Sequence, residues 1–67
     1  MPDEQAAYEE IADIMRTYGY AHVTAAMVRD IDQAGSSGSE HPQGVVTMFA
    51  IKQLEEAREI GLLPPKG

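Results

Sequence analysis

Between Pro42 and Pro65 the apolar residues recur at helical spacing and both ends are punctuated. On a wheel of 100° per residue, Val46, Phe49, Ala50, Leu54, Ala57 and Ile60 share one face, while Lys52, Glu55, Glu56, Arg58 and Glu59 lie opposite. His41-Pro42 marks the start, because a residue before proline avoids the helical region and proline suits the first helical position. His41 is therefore expected at or near the cap. Ile60-Gly61-Leu62-Leu63-Pro64-Pro65 marks the end: Gly61 turns left-handed, Leu62 folds back on the last turn and the prolines forbid continuation. A helix over 42–60 follows, closed by a Schellman-type stop.

Two earlier stretches carry the same period. Ala7, Tyr8, Ile11, Ile14, Met15 and Tyr18 form one stripe, with Glu9, Glu10, Asp13, Arg16 and Thr17 on the other side, which predicts a helix over 3–18. Asp3 and Glu4 suit the positive end of its dipole, and Gly19 supplies a left-handed stop. After a short connection, Thr24 is a good N-cap, with Val23 and Val28 placed as a hydrophobic staple. The second helix is expected over 25–34, packing through Met27, Val28 and Ile31 and exposing Arg29, Asp30 and Gln33. Gly35-Ser36-Ser37-Gly38-Ser39-Glu40 is polar throughout and has the composition of a linker, so 35–41 is expected to be a flexible loop, whether native or engineered. The fold class is thus all-α: one domain over 1–67, a helical hairpin packed on a longer C-terminal helix.

With 67 residues and no cysteine, the chain is in the range where one core supplies only about 3–5 kcal/mol and disulfides are ruled out as a staple. Its two histidines are too few for an ordinary structural zinc site, so no metal and no cofactor is expected. Oligomerisation or a bound partner is the remaining common source of stability. No run approaches the ~20 apolar residues of a membrane span and the acidic N-terminus is unlike a signal peptide, which reads as cytoplasmic.

The formal net charge is −6. Residues 1–17 hold Asp3, Glu4, Glu9, Glu10 and Asp13 against Arg16, whereas Arg29, Lys52, Arg58 and Lys66 are scattered. Nucleic-acid binders generally cluster Lys and Arg to neutralise phosphates, so DNA is disfavoured. Catalysis is not expected: Ser occurs only in the loop, no Gly-x-Ser-x-Gly turn is present, and neighbouring carboxylates such as Glu55 and Glu56 sit on a polar face where nothing raises a pKa. No catalytic residue is assigned.

Met48 and Ile51 sit roughly opposite the third helix's main stripe, in line with Arg58 and Leu62. Either the rest of the domain buries them, or they form an interface with a second copy or a partner protein. The leading expectation is a non-catalytic small acidic protein that binds another protein, as a regulatory, inhibitory or accessory subunit or as a homodimer. Its candidate surfaces are Met48, Ile51 and Leu62, and the acidic face of Glu9, Glu10 and Asp13.

The alternative is a helix-turn-helix-like DNA-binding transcriptional regulator, in which Arg29 and Gln33 are the residues of the second helix suited to reading bases. Tyr18-Gly19-Tyr20 with Val23-Thr24-Ala25-Ala26-Met27-Val28-Arg29-Asp30-Ile31 resembles the second DNA-binding helix of arginine-repressor proteins. The alignment deletes one residue inside that helix, which rotates the exposed face by ~100°, so its reading residues do not transfer. Glu59-Ile60-Gly61-Leu62-Leu63-Pro64-Pro65-Lys66 resembles the end of the recognition helix in mercury-resistance-type regulators. Both stretches are short and follow helix-capping chemistry, and neither identifies a family.

Overall fold

In the computed structural model, which describes residues 3–34 and 44–65, the chain forms three helices: α1 over Glu4–Thr17, α2 over Ala25–Ala34 and α3 over Val45–Glu59. The expected GSSGSE loop, His41 and Pro42 lie outside the described residues. Each helix packs on the other two.

Local chemistry sets the ends. Asp3 is extended and its carboxylate accepts from the amides of Gln5 and Ala6, closing the start of α1. Thr24 Oγ1 accepts from Met27 N–H at 3.3 Å, and Val23 and Val28 are both buried, so the expected N-cap and staple of α2 are formed. The start of α3 differs from expectation: its N-cap is Gly44, extended at φ −98° and ψ 170°, with no side-chain bond, and the helix begins at Val45 rather than at Pro42.

Both longer helices end alike. Gly19 and Gly61 take φ of 109° and 87°. Tyr20 N–H then reaches Met15 C=O at 3.0 Å and Leu62 N–H reaches Ala57 C=O at 2.8 Å, while Gly19 and Gly61 donate to Arg16 and Arg58 carbonyls. These are two Schellman stops. The first is reinforced by Arg16, whose guanidinium donates to the Val23 carbonyl at 2.7 Å across the α1–α2 turn.

The core is one cluster fed by all three helices: Ala7, Tyr8, Ile11, Ala12 and Met15 of α1, Val28 of α2, Ala50, Leu54 and Ala57 of α3, with Val23 and Leu63 from the connections. Three of the expected stripe residues lie elsewhere. Met27 is exposed because the inward face of α2 is centred on Val28 and Asp32, one turn apart, leaving Met27 on the flank. Tyr18 and Ile60 are exposed C-caps, and the turn after Gly61 delivers Leu63 to the core in place of Ile60. Aromatic contacts fix the direction of packing. The rings of Tyr18 and Tyr20, just after α1, lie 5.1 and 5.5 Å from that of Phe49, near the start of α3. Asp3, Ala6, Ala7 and Glu10 meanwhile border the same depression as Gly61 and Leu62, so α1 and α3 run antiparallel.

Candidate functional site

Helix α3 turns Ala50, Leu54 and Ala57 inward, and spacing then places Val45, Met48, Lys52, Glu55, Glu56 and Glu59 on its outer side, where all six are exposed. The apolar members lie in the first turn. Val45 is 69% and Met48 57% exposed, far beyond what an ordinary core helix leaves in water. Half-buried Phe49 adjoins them and carries the ring of Tyr18, itself 68% exposed. A shallow, open depression on α3 is lined by Val45, Met48, Phe49, Ile51, Lys52 and Glu55.

Of the residues singled out in the sequence, Met48 and Ile51 are thus brought together. Ile51 is the more buried, on the flank of α3 that leads through Arg58 toward α2. Leu62 is not part of this surface: the reversal at Gly61 carries it off the helical line of Met48 and Ile51, half-buried against the core beside Ala6, Ala7 and Glu10. Glu9, Glu10 and Asp13 are all exposed. Glu9 accepts from Gln5 Nε2 at 3.2 Å and Asp13 pairs with Arg16, so this side of α1 is a solvated polar face. Arg29 and Gln33 are exposed on α2, with Arg29 leaning on Asp30 at 3.8 Å.

Beneath these surfaces lies a polar centre that sequence reasoning missed. Asp32, only 7% exposed, points into the interior from α2. Arg58 of α3 grips it with two parallel bonds, Nη1 to Oδ1 and Nη2 to Oδ2, each 2.9 Å. Tyr8 of α1 donates its hydroxyl to Oδ2 at 2.7 Å. Arg58 Nε also donates to the Pro64 carbonyl at 3.1 Å, tying down the segment after α3. Burial, then the bond to the carboxylate, pushes the Tyr8 phenol up to about 12 from 10.0, and the bond to Asp32 raises the Arg58 guanidinium above its ordinary value. Helical spacing puts Arg58 on the polar side of α3; in the structure it lies at the border with α2, its side chain one-fifth exposed. No buried side-chain nitrogen or oxygen among the described residues lacks a partner.

No protein-family model, curated protein or solved structure matches this chain.

In the polar centre the Arg58 guanidinium offsets the Asp32 carboxylate, and the Tyr8 hydroxyl adds a bond to the same group. Among the described residues, no group of three His, Cys, Asp or Glu is placed to hold a metal ion, and no helix is long and apolar enough to cross a membrane. His22 is exposed in the turn between α1 and α2; Glu40 and His41 lie outside the described residues.

Proposed function

We propose that this chain is a non-catalytic helical protein that binds another protein, as a regulatory, inhibitory or accessory subunit, and that the outer surface at the start of α3 is its docking face. The observation that carries this reading is the adjacency of Val45, Met48 and Tyr18, each more than half exposed, around the half-buried ring of Phe49. Water contact at a contiguous apolar surface is unfavourable by roughly 25 cal/mol per Å², and a partner that covers it recovers that free energy. Methionine suits such a surface, because its unbranched thioether chain adapts to the shape placed against it.

The test is solution mass by light scattering at low and high protein concentration, alone and with candidate partners or duplex DNA, on the wild type and on Met48→Glu with Ile51→Lys. The reading expects the variant to keep its helical circular dichroism and lose association. A variant that unfolds assigns Ile51 to the core and leaves Met48→Glu alone as the test of the face, and a mass that rises only with DNA moves the interface to Arg29 and Gln33 of α2.

A further inference from the structure

The outer face of α3 changes character along its length. Its first turn offers Val45 and Met48; from Glu55 onward it offers Glu55, Glu56 and Glu59, all exposed, with Lys52 between the two halves. None of these four charged residues forms an ion pair among the described residues, in contrast to Asp13 and Asp32, which hold arginines. An apolar end followed by unpaired carboxylates, on one straight face about 20 Å long, is a pattern with a direction.

We propose that this face receives a basic amphipathic helix of a partner protein, with the partner's apolar residues on Val45, Met48 and Phe49 and its Lys or Arg residues over Glu55, Glu56 and Glu59. The inference rests on the docking face proposed above and adds the chemistry of the occupant. A helix face presents side-chain ridges and no free backbone donors or acceptors, so its natural complement is another helix laid along it. Charge then selects the kind of helix. A second copy in parallel sets glutamates against glutamates. Antiparallel with full overlap, it buries each set of glutamates against the other copy's Val45 and Met48, with a single Lys52 per copy to offset three carboxylates. The net charge of −6 adds long-range repulsion between copies, and repels nucleic acid and anionic lipid surfaces in the same way. Lys52, between the halves, is where the partner carries a neutral or acidic residue.

The experiment uses the full chain and a fluorescently labelled synthetic Leu/Lys amphipathic helix, followed by anisotropy at roughly 0.15 M salt, where the Debye length is about 8 Å. Binding is expected. Val45→Ala with Met48→Ala should weaken it, and Glu55→Gln/Glu56→Gln/Glu59→Gln should weaken it about tenfold, the sum expected of three exposed ion pairs. Glu9→Gln/Glu10→Gln/Asp13→Asn removes the same charge from α1 and should change binding by less than about threefold. Equal losses from the two triple variants mean the peptide reads net charge alone and overturn the proposal, as does indifference to Val45→Ala/Met48→Ala. An uncharged Leu/Gln helix separates the two readings. If it binds as tightly and depends on Val45 and Met48, the docking face stands and the basic partner falls. A doubled mass with no peptide bound makes a second copy the occupant and overturns the basic partner, and a monomer that binds neither peptide overturns both readings.

Discussion

Asp32 is the residue whose role was least legible in the sequence. It sits among Arg29, Asp30 and Gln33 in a stretch whose letters read as a solvated face; spacing does put it one turn after Val28, on the inward side that Asp30 avoids, but a carboxylate there reads as outward until its partners are known. What buries it is tertiary: Tyr8 and Arg58, from positions 24 and 26 residues away, converge on one carboxylate. Burying a carboxylate is tolerated only when it is paired and bonded, as here, so removing one member costs more than the pair contributes. Asp32→Ala leaves the Arg58 guanidinium without its partner and should destabilise the fold by about 3 kcal/mol, the lower end for a broken buried pair because Arg58 is partly in water. Tyr8→Phe loses one bond to a charged acceptor and should cost about 1–2 kcal/mol in urea unfolding. The Tyr8 phenol gives this centre an alkaline limit. Its folded pKa of about 12 exceeds the unfolded 10.0, so the folded chain holds the proton more tightly. That contribution, about 2–3 kcal/mol, is complete below pH 10 and is lost as pH rises to about 12. Tyr8→Phe should flatten this fall in stability, and its absence from the wild type would refute the assignment.

At the scale of elements, the sequence was far more informative, because helix ends are local chemistry. Thr24, Gly19 and Gly61 perform the capping roles their types and positions suggest, while Asp3, expected in the first turn as a carboxylate at the positive end of the dipole, is the N-cap itself. The faces were read less well, and for a physical reason: periodicity treats every apolar residue as inward. Met27, Tyr18 and Ile60 obey the period but sit on a flank or at a helix end that no neighbour covers. The two glycines give a clean test. A Cβ at Gly19 or Gly61 would meet nothing within 4 Å, so any cost comes from the backbone alone. L-Alanine at either position should lower stability by about 1 kcal/mol or somewhat more, since an L residue is strained at positive φ. D-Alanine placed there by chemical synthesis should match or exceed glycine, by limiting the unfolded chain without strain. Equal effects of the two enantiomers would mean that the turns relax and that the Schellman geometry is not what ends these helices.

Over the whole molecule, three helices that each pack on the other two leave every helix one side without a helical neighbour among the described residues. Apolar residues on the outer side of α3 therefore stay in water, and the sequence, which leaves open whether Met48 is core or surface, cannot decide without the packing. Met48 is now the cleaner probe of association: Met48→Glu alone should abolish any mass increase with less than about 0.5 kcal/mol change in stability, as for an exposed site. Ile51→Lys, half-buried, is expected to cost more. A single Met48→Glu variant that unfolds would place that residue in the core. The shared carboxylate has a consequence on the timescale of hydrogen exchange. Helix α2 is short and gives the apolar core little beyond Val28 and the flank of Ile31, so by hydrophobic contact alone it would be the first part to open. Because Asp32 is gripped from α1 and α3 together, α2 cannot leave without undoing both. Its amides should therefore exchange only with the molecule as a whole, and in Asp32→Ala they should become a separate, faster-opening unit while α1 and α3 remain protected.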